Sequence, residues 1–270
     1  MTAAGAGSSG VTRTPSASES ARFGHTVERI TVGDRWADAL DPAGLSTVIA
    51  AEVAASEART IVLRYPSEAV FVARALPSTG RAVHPAGTLI YWESRATDRE
   101  PEADVRELIA PVAEADSAAA LEVIADSFRG YVNHYRANPL IADSAVTDGY
   151  LEWAASTIAD SENRAFVIDH EGTVAGVATI DTAGGTGPWD ILLAGMATRF
   201  QGKGLYLRLI RGLLAAAADA GQERVIISTQ SHNIPVQRAW AKLGFAPVSA
   251  IDTVHLVAPE PSNGPATGVA

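Results

Sequence analysis

The sequence predicts an α/β protein, one sheet with helices on both faces, preceded by a smaller α/β part. Three observations carry this. From about residue 105 to 257, short aliphatic and β-branched runs alternate with longer runs of helical spacing. One apolar strand candidate, Asp190–Ala197, passes through a glycine loop directly into a long helical run, Leu205–Ala220. Two helical runs stop on glycines, Gly221 and Gly244, as helices closed by a left-handed residue do. The 270 residues allow one large domain or two small ones and are enough to bury a core.

In chain order, residues 1–24 are mostly Ala, Gly, Ser and Thr with one Pro, a composition expected of a disordered tail. Residues 25–97 hold a helical run, Leu45–Glu57, and three strand candidates, Thr60–Tyr65, Ala69–Leu76 and Thr88–Glu93, with Pro66 and Pro77 as stops. The polar segment 96–104 is the expected linker. Ser117–Phe128 reads as an amphipathic helix with Ser117 as its cap, and Thr147–Ile158 as a second helix. Ala165–Ile168 and Thr173–Ile180, joined through Gly172, read as a hairpin. After Leu205–Ala220 come a strand, Arg224–Ser228, a helix, Pro235–Leu243, and strand character over Phe245–Val248 and Thr253–Val257. Residues 258–270 read as a second tail.

Composition excludes several functions. Lys and Arg number 21 against 31 Asp and Glu, a net charge of −10, which speaks against non-specific binding to nucleic acid or an anionic membrane. With no Cys there is no disulfide, thiolate metal site or Cys nucleophile. The six His show no metal-ligand spacing, so no metal is expected. No apolar run is long enough for a transmembrane helix, and the first residues lack the pattern of a signal peptide, so a cytoplasmic home is expected.

The informative stretch is residues 196–210, MATRFQGKGLYLRLI. A strand ends at Met196–Ala197, and a short loop containing Gln201, Gly202, Lys203 and Gly204 leads into a helix. Glycines permit close backbone approach, the free N–H groups and dipole of a helix start favour phosphate, and Lys203 adds a cation. An ordinary helix start with glycines for packing remains equally open on this loop alone. It is neither a Walker loop nor a dinucleotide fingerprint.

Downstream, SHNIPVQRAWAKLGF places Asn233, Gly244 and Phe245 in the register of a second motif. With both blocks in view, the chain over about 105–257 resembles the GCN5-related N-acetyltransferase (GNAT) superfamily. That family's loop follows [RQ]-x-x-G-x-[GA], and its second block N-x-x-A-x-x-x-Y-x-x-x-G-F. The resemblance implies the GNAT fold, a mixed and mainly antiparallel central sheet with helices on both faces. It also implies acetyl-CoA or another short acyl-CoA as donor and a primary amine as acceptor. It assigns donor contacts to Gly195, Met196, Ala197, Gln201, Gly202, Lys203, Gly204, Leu205, Tyr206 and Asn233. Two positions depart from the pattern. Tyr206 stands where the loop ends in Gly or Ala, and Trp240 stands where many members carry a Tyr that protonates the leaving thiolate. An indole N–H is too weak an acid for that work.

A narrower similarity, to TDP-fucosamine acetyltransferases, rests on Phe128, Asn138-Pro139, Tyr150, Trp153 and Gln230. It implies a nucleotide-linked amino sugar as acceptor, with Tyr131 and Tyr135 added as aromatic neighbours. Other amines (antibiotic, polyamine or protein) stay open, as does a non-catalytic acyl-CoA-binding module. His232, with a near-neutral ring, and Asp190, acting through water, are the candidates for the proton acceptor, and Trp240 is expected beside the acyl group. Arg129, His134 and Arg136 form a local basic patch suited to a diphosphate. The first α/β part either shapes the acceptor pocket or supports a homodimer.

Overall fold

A computed structural model describes residues 10–96, 109–160, 163–185 and 187–260. In chain order the strands and helices are β1 (Val11–Pro15), α1 (Ala17–Phe23), β2 (Val27–Val32), α2 (Pro42–Ala54), β3 (Thr60–Pro66), α3 (Val72–Ala75), β4 (Ala82–Arg95) and β5 (Ile109–Pro111). There follow α4 (Ser117–Ser127), α5 (Asp143–Ala159), β6 (Arg164–His170), β7 (Thr173–Asp181), β8 (Trp189–Met196), α6 (Leu205–Asp219), β9 (Arg224–Gln230), α7 (Ile234–Lys242) and β10 (Ala246–Val257). They fall into two compact units.

The first unit comprises residues up to Gly87, Ala137–Leu140 and the chain from Ile251. Its strands run in the order β1, β2, β3, β10; β2 and β3 are parallel and the outer pairs antiparallel. The helix α2 begins where the Asp41 carboxylate accepts the Gly44 N–H at 2.6 Å and Pro42 presets the first turn. Leu45, Ile49 and Val53, spaced by four, bury one stripe of it among Ile30, Ile61, Leu63 and Leu256.

Three expectations change here. Residues 11–23 are a strand and a helix, not a tail. The pairing of β1 with β2 and the ion pair of buried Glu19 with Arg29 (2.7 Å) fix a segment whose small residues carry no periodicity. Ala69–Leu76 is not a strand: Ala69, Val72 and Leu76 are buried at helical spacing while Val70 is exposed, so the chain turns through α3. Thr253–Val257 belongs to the first unit, where it lies along β3. The expected linker falls almost wholly outside the described residues, as does the end of the expected tail from 261.

The second unit orders its strands β4, β9, β8, β7, β6, β5, antiparallel except for β8 and β9. Helices α6 and α7 cover one face through Leu205, Leu209, Leu213, Trp240 and Leu243. Helices α4 and α5 cover the other through Ala120, Ile124 and Ala154. This is the expected mixed sheet between two helical layers.

Buried His255 in the first unit has a titration consequence. Its Nδ1 accepts from Asn138 Nδ2 at 3.1 Å, so the neutral ring is required. Burial pushes its pKa down to about 4, with Arg64, His84 and Arg29 adding to the fall and Glu19 opposing it. An unfolded imidazole titrates near 6.5, so the folded state loses about 3 kcal/mol as pH falls from about 6.5 through 4. Asp190, raised by burial to about 6, acts in the opposite sense over part of that window. The comparison is therefore with His255→Asn, which retains an acceptor near the Nδ1 position. Urea unfolding of wild type should weaken relative to the variant on acidification; parallel pH curves would refute the assignment.

Candidate active site

The site is created by a defect in the ladder. Thr179 pairs with Leu193 and Ile180 with Ile191, so Leu192 is an extra residue, a β-bulge. The parallel ladder of β8 with β9 runs from Trp189↔Val225 to Ile191↔Ile227 and ends there, at the bulge. Beyond it β8 stays on β7 as far as Met196, leaving the β9-facing edge of Leu192–Met196 open. Five residues at about 3.3 Å each make that edge about 16 Å long.

At the wide end the chain enters the glycine loop. Gly202 and Gly204 have φ of +76° and +78°, left-handed values that favour glycine, and nothing lies where a Cβ of either would stand. Gly204 is the N-cap of α6 and brings no side chain to the helix start, so the N–H groups of Leu205 and Tyr206 have no side-chain cap. Lys203 Nζ and Arg199 Cζ lie 5.2 and 4.9 Å from the Phe200 ring centroid, two cations gathered beside the loop. Gln201 turns back, its Nε2 donating to the Met196 carbonyl at 3.3 Å.

The end of α4, which the sequence did not single out, clamps the same strand. Ser127 Oγ donates to the Met196 carbonyl at 2.9 Å. Asp126 accepts the Thr198 N–H at 2.6 Å, which lowers its carboxyl pKa. A Cβ on Gly195 would stand 2.6 Å from Ser127 Oγ and 3.5 Å from Phe128 Cε2.

An aromatic group covers the gap on the α4–α5 face. Phe128, beside Gly195, stacks on Tyr150 at 4.4 Å, and Tyr131 meets both rings edge-on. Tyr131 OH is 3.1 Å from Thr229 Oγ1, on β9 past the parting point, and Thr229 also accepts from Asn233 Nδ2 at 3.0 Å. The predicted acceptor residues Phe128, Tyr131 and Tyr150 are thus brought together with the predicted donor residue Asn233. Gln230 is buried at the end of β9. Tyr135 instead lies tilted against buried His134, 3.9 Å between centroids, and Trp153 is 43% exposed on α5. Asn138 belongs to the first unit, where both its Nδ2 contacts, Thr60 Oγ1 and His255 Nδ1, are structural. The expected basic patch thins in the same way, since Arg136 is tied to Asp143 at 2.9 Å and to the Tyr131 carbonyl.

The two candidate proton acceptors lie at opposite ends of the gap. His232 is exposed in the turn after β9, at the wide end. Asp190 sits next to the last β8–β9 rung and directly opposite Asp181 on β7. Burial first, and then the Asp181 charge, raise its pKa to about 6. Trp240 is buried on α7, and its Nε1 donates to Tyr206 OH at 2.9 Å. Among the described residues no group of three or more His, Cys, Asp or Glu is placed to hold a metal, and no helix is long and apolar enough to cross a membrane.

Residues 128–245, which contain this gap, loop and clamp, match the model of the acetyltransferase (GNAT) family. The matched stretch lies, but for Ala137–Leu140, in the second unit, which is therefore similar to that family's acetyltransferase domains. The whole chain is similar in fold to a GCN5-related N-acetyltransferase from Sphaerobacter thermophilus, at 16% identity over 93% of this chain and 78% of that one, TM-score 0.59. It is similar to a conserved protein of unknown function from Staphylococcus epidermidis, at 12% identity over 87% and 85%, TM-score 0.55. It is also similar to a GNAT-family acetyltransferase from Colwellia psychrerythraea, at 16% over 87% and 80%, TM-score 0.52. At such identities the likeness is one of fold. No curated protein matches the chain. The gap between β8 and β9 lies inside the matched residues.

The Gly195 contact gives a direct test of how tightly α4 grips β8. Gly195→Ala should cost about 1–3 kcal/mol in urea unfolding, the usual cost of overpacking. Adding Ser127→Gly should return part of it. A tolerated Gly195→Ala would mean that α4 can withdraw.

Proposed function

We propose that this protein transfers the acetyl group of acetyl-CoA to the primary amine of a nucleotide-linked amino-deoxysugar. One observation supports the donor above all: an open strand edge that begins at the Leu192 bulge and ends in an uncapped, glycine-shaped helix start. The residues present fit the group. Gly202, Lys203, Gly204 and the first N–H groups of α6 would hold the pyrophosphate. The edge of Leu192–Met196 would take the pantetheine amides as an added strand, and Asn233 would bond near its end. Acetyl-CoA supplies, when bound, an activated acyl carbon.

What the chain itself contributes is position and one proton path. A donor anchored at Gly202–Gly204 and laid along the roughly 16 Å edge ends near Asp190, not His232. We therefore assign the proton from the acceptor amine to an Asp190 carboxylate oxygen, directly or through one water, and give His232 no chemical part. A carboxyl raised to about 6 is still mostly ionised at neutral pH, yet basic enough to take a proton well. One open N–H of the Leu192–Met196 edge would polarise the carbonyl oxygen. Phe128, Tyr131 and Tyr150 support the sugar assignment by placing ring faces and a phenol beside the gap. The Asp181–Asp190 pair favours a second reading, a cationic amine such as a polyamine.

Acetyl-CoA at 100 times its dissociation constant should stabilise the protein by about 2.7 kcal/mol, several degrees in Tm for a chain of this size. No shift at millimolar acetyl-CoA would remove the donor assignment. The rate constant kcat/KM for the amine should fall on acidification with a midpoint near 6. Asp190→Asn should abolish that limb and lower the rate about 100-fold, while Asp181→Asn should move the limb to lower pH. An unchanged limb in Asp190→Asn would exonerate the carboxylate. A panel of TDP- and UDP-amino sugars set against polyamines, read by thiol release, separates the two acceptor readings.

A further inference from the structure

The two positions at which this chain departs from the family pattern are in contact. Trp240 Nε1 donates to the Tyr206 hydroxyl oxygen at 2.9 Å. An indole nitrogen can only donate, so the phenol accepts there and its own O–H is left to point elsewhere. Among the described residues that O–H meets no acceptor.

The pair stands at the gap. Trp92 on β4 pairs with Ile227, and Ile227 pairs with Ile191, the last rung before the strands part. Trp92 therefore marks the level of the narrow end, and Trp240 packs edge-on against it at 6.2 Å. Tyr206 reaches this point from the first turn of α6, immediately after the loop. Burial raises the pKa of its phenol, and Tyr131, the residue bonded to Thr229 on the open part of β9, adds to that rise.

We propose that the Tyr206 hydroxyl donates a hydrogen bond to the sulfur that departs from the acyl carbon, and that Trp240 is the positioning residue that aims it. This rests on the acetyl-transfer reading above. In the step, the amine nitrogen forms its bond to the acyl carbon and the carbon–sulfur bond breaks. The electron pair stays on sulfur, and the amine proton passes to Asp190. Burial holds the phenol well above its ordinary pKa, so it keeps its proton at any working pH. A thiol titrates near 8.5, so proton transfer from so weak an acid to the thiolate would run uphill. The phenol thus acts by donating its O–H, and sulfur takes its proton from water on release. The hydroxyl that the family pattern places on the helix of α7 is here delivered from α6, with an indole in its old place acting as a rest for it.

The test uses CoA itself as probe. The thiol of bound CoA is titrated by the ultraviolet absorbance of its thiolate in wild type, Tyr206→Phe and Trp240→Phe. Wild type should lower that thiol pKa by about one unit against free CoA, a tenfold effect typical of a hydrogen bond to a charged atom. Tyr206→Phe should abolish the shift and Trp240→Phe should reduce it. Turnover should fall about tenfold or more in Tyr206→Phe, chiefly in kcat. The same thiol pKa in wild type and Tyr206→Phe would overturn the proposal. A variant that binds neither CoA nor acetyl-CoA would also overturn it, since Tyr206 would then serve only to build the loop. Wild type that binds neither would instead defeat the acetyl-CoA reading itself. If Tyr206→Phe does not fold, the Trp240→Phe titration decides alone, and an unreduced shift counts against the proposal.

Discussion

A single extra residue, Leu192, is the constraint on which the second unit depends. Up to Ile191 the strands β8 and β9 share an ordinary parallel ladder. One residue later the register on β7 has slipped, side chains change faces, and the ladder to β9 is over. Trp189 and Ile191 face the α6–α7 layer, whereas Leu193, past the bulge, packs with α4 and α5. A continuous ladder would leave no main-chain groups for a donor to pair with. A wider rupture would leave buried backbone without partners. The bulge opens one edge and leaves the other, against β7, intact.

The helices hold that opening apart at its two ends. At the wide end, Ser127 and Gln201 both bond the Met196 carbonyl and Asp126 takes the Thr198 N–H, so the strand end is tied from α4 and from the loop. Gly195 is needed because α4 approaches so closely that even a methyl group would collide. At the narrow end, Trp92, Trp240 and Tyr206 fill the α6–α7 face with rings joined by one hydrogen bond. Asp190 and Asp181, directly opposed across β7 and β8, put like charges where a sheet disfavours them. Their proximity costs stability and leaves Asp190 more basic than an exposed carboxylate.

Much of this was legible in residues that serve backbone geometry. The strand–loop–helix from Asp190 to Ala220 showed itself because Gly202 and Gly204 must be left-handed, and Gly221 and Gly244 marked helix ends for the same reason. What stayed hidden depends on pairing across sequence distance. Nothing in DILLAGMA announces that Leu192 is a bulge, since apolar residues run through it without alternation. The strand and helix at 11–23 leave no mark in the sequence because their stability comes from β2 and from Arg29, not from their own composition. Ser127 and Asp126 looked like an ordinary polar helix end. Asn138 matches an acceptor position in the sequence, yet its side chain is engaged by Thr60 and His255, partners 78 and 117 residues away.

The same reasoning bears on how substitutions in a known pattern should be judged. Taken singly, Tyr206 crowds a loop built for glycine or alanine, and Trp240 removes a hydroxyl. Each alone reads as a loss of function. Their side chains lie 34 positions apart in sequence and touch through one hydrogen bond, so neither can be weighed without the other. The phenol's oxygen is occupied by a group that can only donate, which leaves its proton available. The indole fills the volume that α7 presents to Trp92. Under the proposed role of Tyr206, the site keeps its chemistry through the position of an O–H group, and the helix that carries that group is free to change.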